Sequence, residues 1–406
     1  MDIIADLQIH SRFSRATSQN ITIQNIIKYA KIKGINLIGT GDFTHPEWLK
    51  EIKQHFEEGD GILNSSESEI KFLFTGEVSN IYEQDRRVRK VHNLLFAPSV
   101  EIVEQINEHL SKRGNLESDG RPIFSNYTCP ELVEDLKSIS NEIEIIRAHA
   151  WTPYFSIFGS ESGFDSVKEC FQEQTKHVYA IETGLSSDPA MNWRLSQLDK
   201  YTLVSNSDAH SLWPWRLGRE ATLFHMKELD YRGIIKAIRN KEIKGTIEVK
   251  PDYGKYHLDG HRDCNVCLLP EETRKINKIC PKCGDKVTVG VLHRVEELAD
   301  RPSTYIQKDA PLFITLIPLS ELISASLGKA IYTKAVWNEY NKLIQEFGNE
   351  YNILLKADRE KIIKIVNEKL ADAIIQNREG KIKIKPGYDG KYGEVVLERE
   401  IQKKLF

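Results

Sequence analysis

An α/β fold of the (β/α) barrel type is predicted by three observations. Short apolar runs recur through the first 245 or so residues, amphipathic helical patterns separate them, and His, Asp or Glu repeatedly follows the end of a run. Near-continuous apolar strands separated by helices predict a parallel sheet covered on both faces. The number of units suits a barrel better than a small open sheet.

The elements follow in order. "ADLQIHS" opens the chain, and period-2 alternation puts Gln8 and His10 on one face. The helical "ITIQNIIKYAKIKG" leads into "GINLIG", which is followed by Asp42 and, three residues on, His45. "KFLFTGE" delivers Glu77. "EQDRRVRK" predicts a basic hairpin tip with Arg86, Arg87, Arg89 and Lys90, and His92 starts the run "HNLLFAP". Two helical segments, "VEIVEQINEHLSKRG" and "CPELVEDLKSIS", precede "EIEIIRAHA", which ends on His149. "HVYAIETG" carries Glu182, and after the helical "PAMNWRLSQLDK" the run "YTLVSNSDAH" ends on Asp208 and His210.

Ligands collect at the carboxyl ends of strands in βα folds. Imidazole and carboxylate are the donors that borderline and hard divalent cations take. Gln8, His10, Asp42, Glu77, His92, His149, Asp208 and His210 are therefore candidate metal ligands, with His45 and Glu182 the weakest members of the set. Asp208, Glu77 and His210 are the candidate catalytic residues. His55, His109, His177 and His225 sit in helix or flank contexts and read as surface or hydrogen-bonded residues. Two such cations clamp a phosphate, acidify a bridging water and stabilise the leaving oxygen, so phosphate-ester hydrolysis is the expected reaction class.

The chain of 406 residues is too long for one ordinary core. It is 40% hydrophobic and 28% charged, as soluble globular chains are, and no run of about 18 apolar residues suggests a membrane span. No signal peptide is recognisable, so a cytoplasmic, nucleoid-associated location is expected. The net charge of -3 does not announce a nucleic-acid binder. It is uneven, however: residues 1–249 carry 29 Lys+Arg against 36 Asp+Glu, whereas residues 301–406 carry 18 against 14.

"IEVKPDYGKYHLDGHRD" has turn residues and no clean period, and reads as a linker. Cys264, Cys267, Cys280 and Cys283 then form CxxC-x12-CxxC, the spacing of a structural zinc held by four thiolates. Cys129 and Cys170 are isolated and read as core residues. From about residue 303 the pattern is mainly helical, closing on "KIKIKPGYDGKYGEVVLER", in which Pro386, Gly387, Asp389 and Gly390 bracket a turn between two strand-like runs.

The ordered motifs "ADLQIHS", "TGDFTH", "GE" at 77, "VHNLL", "HA" at 149 and "SDAH" resemble the PHP (polymerase and histidinol phosphatase) family over residues 1 to about 245. That resemblance implies a distorted (β/α)7 barrel with two or three divalent metals (Zn, Mn or Mg) at its mouth. The chain departs from the family at Gln8, where histidine is usual, and in Thr40-Gly41-Asp42, where Thr-Asp-His is usual; Ala16 stands where relatives often supply another ligand.

With a zinc ribbon at 255–300 and a helical α+β domain at 301–406, the whole chain resembles the endonuclease Q family. "ETGLSSDPAMNWRLS" and "SNSDAHSLWPWRLGREA" are similar to that family too. The resemblance implies a DNA repair endonuclease that nicks 5′ of deaminated bases (uracil, hypoxanthine, xanthine) and abasic sites, with the C-terminal domain binding DNA. Trp151, Tyr154, Ser186, Arg86, Arg87, Arg89 and Arg216 are the candidate contacts to damaged DNA and to a flipped base. Ser187 serves equally as part of a helix cap before Pro189. The final "QKKLF", residues 402–406, resembles the peptide with which bacterial enzymes dock on the sliding clamp, or else caps the last domain's core. Two other readings compete: a small-molecule phosphatase of the histidinol-phosphate type, which needs no ribbon or C-terminal domain, and a degenerate barrel kept as a nucleic-acid-binding module.

Overall fold

The computed structural model describes residues 1–397, so the peptide at 402–406 lies outside the described residues. Seven strands organise the first half: β1 (Asp2–Asp6), β2 (Leu37–Gly39), β3 (Ser68–Gln84), β4 (Arg87–Ala97), β5 (Glu144–Arg147), β6 (Ala180–Glu182) and β7 (Thr202–Val204). They lie side by side in the order β7-β6-β5-β4-β3-β2-β1. The sheet curls until its ends meet at one bridge, Ile9 to Ala209, where the His10 amide donates to the Ala209 carbonyl at 3.0 Å. The buried Asp6 carboxylate strengthens that junction by accepting from the amides of Ser207 and Gly218, each at 2.9 Å.

The sheet is mixed, not parallel as the sequence pattern predicts. β1–β2, β2–β3, β5–β6 and β6–β7 are parallel, but β4 runs antiparallel to both neighbours. The cause is local. Asp85 and Arg86, with φ of 54° and 60°, turn β3 straight back into β4. So short a connection can join only antiparallel strands, since parallel neighbours need a long crossover. Apolar periodicity does not distinguish the two directions, which is why the reversal was hidden.

Three further strands extend the sheet beyond β1: β8 (Ala221–His225), β9 (Gly245–Glu248) and β10 (Leu312–Thr315). β10 pairs parallel with β9, so the sheet continues across the expected boundary near residue 301. Beyond β10, helices Leu319–Leu327, Lys334–Phe347, Glu350–Leu355, Arg359–Ile363 and Glu368–Arg378 pack together, as the helical pattern predicts. Among the described residues no helix is long and apolar enough to cross a membrane.

A buried ion pair fastens this helical region to the first half of the chain. Lys33 ends helix α1 (Ile23–Lys33), and its ammonium lies 2.6 Å from Glu350 Oε1 and 2.8 Å from the Pro214 carbonyl. Glu350 also accepts from the Leu319 amide at 3.1 Å and the Tyr340 hydroxyl at 2.7 Å. Both charges are buried, so each depends on the other and on these hydrogen bonds. The Pro214 contact holds a loop that carries Trp213 stacked on Trp215 (5.0 Å, 11°), both against Trp337.

Candidate metal centre

The ends of β1, β5 and β7, together with the β3–β4 ribbon, deliver two compact groups of ligand atoms; Glu77 and His92 stand inside their strands, not at an end as the sequence pattern predicts. His10, Asp208 and His210 form one; Glu77, His92 and His149 form the other; within each group all ligand atoms lie within 4.8 Å of one another. Glu77 joins them. Its Oε2 is 3.0 Å from His10 Nε2, and its Oε1 is 2.6 Å from His92 Nδ1 and 3.4 Å from His149 Nε2. His10 Nε2 in turn lies 3.1 Å from Asp208 Oδ1.

β3 and β4 place Glu77 and His92 by simple register, in adjacent strands of one ribbon. Asp42, His149 and Asp208 follow strands in sharp turns with φ of 46°, 29° and 47°. Non-glycine residues seldom take this left-handed conformation, and such strain concentrates at functional sites.

Electrostatics prepares the groups for cations. Burial lowers the His92 pKa to about 4 against the pull of Glu77, leaving a neutral imidazole with a free lone pair. Burial alone would raise Glu77 and Asp208, but His92 and Arg121 hold Glu77 well below the carboxylate range, and His210 and His10 do the same for Asp208. Gln8 donates from Nε2 to Glu77 at 3.1 Å, and its buried Oε1 has no hydrogen-bond partner. That orphaned oxygen, with the imidazole and carboxylate donors around it, fits divalent cations.

Two expected ligands stand behind the groups. Asp42 Oδ1 is 3.0 Å from His10 Nδ1, and its Oδ2 accepts from the Ser11 amide, the Ser11 hydroxyl and the Ser14 hydroxyl at 2.6–2.8 Å. It therefore orients His10, as carboxylates behind metal-bound histidines do. Glu182 accepts from the His149 amide at 2.6 Å and Asn206 Nδ2 at 2.8 Å; burial pushes its pKa up to about 8. His45 stacks on Phe13 at 4.3 Å and belongs to neither group.

A cavity of about 460 Å³ opens over the ligands, lined by His92, His149, Asp208 and His210 on its floor and by Tyr154, Ser186, Arg216 and Tyr392 on its walls. Tyr154 is 45% exposed there. Trp151 is not on the wall: it is buried, packs on Phe158 at 4.7 Å and donates to Asn192. Arg89 is buried too, with its guanidinium over the Phe164 ring and bonded to the Gly163 carbonyl, while Arg86 and Arg87 are exposed at the ribbon tip. Ser187 donates to the Thr183 carbonyl at 2.7 Å, inside the turn. A larger cavity of about 750 Å³, lined by Leu49, Lys53, Asn107 and Leu116, holds none of the candidate ligands.

Several lining residues were not visible in the sequence. Arg121, 3.7 Å from Glu77 Oε2, comes from an irregular loop with no motif. Lys255 and Tyr256 line the cavity from the stretch that reads as a linker, and Tyr392 from the C-terminal turn. No local pattern announces contacts over such separations; a tyrosine inside "GKYG" was the sole hint.

A second cluster gathers His261, Cys264, Cys280 and Cys283, with ligand atoms within 4.8 Å. His261 is an unforeseen member, its Nδ1 3.6 Å from Cys283 Sγ. Cys267, expected as the fourth thiolate, is exposed and outside this group. It follows Val266 in a short strand, and Val266 faces inward onto Cys280 and Val287, so alternation turns Cys267 outward.

Comparison with known proteins places this architecture. Residues 318–381 match the MJ0043 C-terminal domain family. The uncharacterised protein MJ0043 of Methanocaldococcus jannaschii is 40% identical over 314 residues, 75% of this chain; the chain spans 36% of that relative's length. The uncharacterised protein YqxK of Bacillus subtilis is 28% identical over 97% of this chain and 99% of its own. The crystal structure of a lesion-specific endonuclease from Pyrococcus furiosus, PfuEndoQ, superposes with a TM-score of 0.87 at 36% identity, covering 99% of this chain and 97% of that one. Endonuclease Q in complex with a 27-mer duplex carrying an abasic lesion at the active site gives 0.89 at 36%, covering 99% and 98%. Fold and ligand groups together thus define a homologue of a lesion-specific endonuclease with candidate metal sites. The chain belongs to the endonuclease Q family.

Proposed function

We propose that this chain is a metal-dependent DNA endonuclease that hydrolyses the phosphodiester 5′ of abasic sites and deaminated bases. One observation carries the reading most: two ligand groups joined through Glu77, with His92, His149, Asp208 and His210 lining a cavity, in a chain 36% identical to a lesion-specific endonuclease. The curled seven-strand sheet is then a distorted (β/α)7 barrel of the PHP type. His10, Asp208 and His210 would hold one cation and Glu77, His92 and His149 another, with Gln8 beside both. Bound there, divalent metals would supply charge to neutralise the scissile phosphate and acidify a water.

The chain's own residues suit the rest of the task. Arg86 and Arg87 would meet phosphates at the ribbon tip, where charge gives affinity without reading sequence. Tyr154 would stack on a flipped base and Ser186 bond its edge, with Arg216 on the adjoining wall. The test is a labelled duplex with one uracil or one abasic site, incubated with Mg²⁺ or Mn²⁺ beside p-nitrophenyl phosphate. Nicking at the lesion is the expected result. Phosphate release without nicking would replace this reading with a small-molecule phosphatase.

The second cluster would hold a structural zinc through Cys264, Cys280 and Cys283, with His261 at the position expected of Cys267. Cys280→Ser is expected to lose that zinc and loosen residues 255–300, because the metal supplies much of the stability of so small a unit. Mass analysis of bound zinc checks it; unchanged zinc content would remove the assignment.

A further inference from the structure

The C-terminal turn brings a phenol to the candidate active site. Tyr392 lies on the wall of the cavity whose floor is made by His149, Asp208 and His210. Its delivery is built into the backbone. The Gly387 amide donates to the Asp252 carbonyl at 2.8 Å and the Gly393 amide to the Tyr253 carbonyl at 3.0 Å. Gly390 and Lys255 join in the same way at 2.8 Å. The approach is close enough to demand glycine: a Cβ on Gly393 would lie 2.3 Å from the Asp252 carbonyl oxygen, and one on Gly387 2.4 Å from that of Gly254.

Around the phenol the leading charges are the cations Arg219, Arg216 and Lys255; carboxylates stand farther off, Glu321 on Tyr253 and Asp208 in the same cavity. The Arg216 guanidinium sits 4.4 Å from the centre of the Tyr392 ring, and Arg219 Nη1 is 3.4 Å from its oxygen. Arg219 is fixed in turn by donating from Nε to the Ser207 carbonyl at 3.0 Å. Tyr253, 5.7 Å away ring to ring, gives its own hydroxyl to Glu321 in the Leu319–Leu327 helix, so it does not compete for the Tyr392 oxygen. Burial would raise the phenol's pKa, but Arg219, Arg216 and Lys255 outweigh it and bring it down to about 8. A donor with that value is mostly protonated at neutral pH, and its conjugate base is held by two guanidiniums. Nothing in the two ligand groups uses it.

We propose that Tyr392 is the general acid of the reaction, giving its phenolic proton to the 3′ oxygen that leaves the scissile phosphorus. The inference rests on the endonuclease reading. Water adds its oxygen to phosphorus and yields one proton to solvent. The bond from phosphorus to the 3′ oxygen breaks, that oxygen takes the Tyr392 proton, and the phenolate beside Arg216 and Arg219 is reprotonated by solvent. The C-terminal turn therefore completes the active site, and the chain beyond the last helix does more than hold DNA near it.

The experiment compares the full chain with Tyr392→Phe in single-turnover nicking of a uracil duplex. The scissile phosphodiester is used in two forms, ordinary and with its bridging 3′ oxygen replaced by sulfur, whose thiolate leaves without a proton. Tyr392→Phe is expected to nick the oxygen substrate about 100-fold more slowly and the sulfur substrate within about threefold of the unaltered chain. The unaltered chain should slow as pH rises through about 8, where the donor is lost, and Tyr392→Phe should lack that limb. Without DNA or metal, the difference in ultraviolet absorbance between the two chains should show one phenol ionising near pH 8. Equal slowing on both substrates would make Tyr392 a positioning residue and overturn the proposal, as would no slowing at all. An unaltered chain that nicks neither substrate would overturn the endonuclease reading and this proposal with it. An unaltered chain that nicks both, with Tyr392→Phe equally fast, would overturn the role of Tyr392 alone.

Discussion

Asp208→Asn is expected to leave the chain folded and to slow nicking by at least about 10³-fold, roughly 4 kcal/mol of transition-state stabilisation. The fold should survive because asparagine has the same shape and tolerates the left-handed φ of 47° at this position. Activity should not survive because the amide removes the charge that stands 3.1 Å from His10 and completes a ligand group with His10 and His210. The measurements are single-turnover nicking at saturating Mn²⁺ and the urea unfolding midpoint. Near-normal nicking, or a midpoint showing a chain already unfolded, would remove Asp208 from the candidate catalytic set.

Lys33→Met is expected to destabilise the fold by about 3–5 kcal/mol, the usual cost of leaving one half of a buried ion pair alone. Glu350 would keep its bonds from Leu319 and Tyr340 but lose the positive charge that offsets its burial. The charge cost should be recoverable. Lys33→Met combined with Glu350→Gln should regain at least half of the loss, because the neutral amide still bonds while no charge stays buried. Urea unfolding monitored by tryptophan fluorescence reads both. A loss below about 1 kcal/mol in the single variant would mean that water reaches the pair.

How much of this was legible in the sequence differs from element to element. The ligand residues could be read because an acid or histidine beside an apolar run is a poor packing choice, and Glu77, His92, His149, Asp208 and His210 do gather in two groups. Their place was legible only for His149, Asp208 and His210, which follow strands, whereas Glu77 and His92 lie inside them. Direction was not legible. A run such as "HNLLFAP" is apolar on both faces whether its neighbours run with it or against it, and Asp85–Arg86 decides the matter. Rank within the site was not legible either. Asp42 follows its strand as Asp208 does, and its place behind His10 depends on Ser11 and Ser14, which fold back onto it. Charge misled in one case: Arg89 belongs to the run with Arg86 and Arg87 and shares a strand face with Arg87, yet it lies two residues farther from the tip, where Phe164 and Gly163 cover it. Lys255, Tyr256 and Tyr392 were beyond reach because the two stretches that carry them meet only in three dimensions.

On the proposed endonuclease reading, the β3–β4 ribbon bears on how much of a duplex the chain would engage. An unbroken strand leads from Glu77 to Gln84, directly before the turn at Asp85, eight residues from Glu77. At about 3.3 Å per residue that is roughly 26 Å. Stacked base pairs advance about 3.4 Å, so the span corresponds to about eight of them. An element that carries candidate ligands near one end and guanidiniums at the other would then act as a gauge. Helical substrate that stops short of its far end would leave Arg86 and Arg87 with nothing to touch, however well the lesion itself were seated.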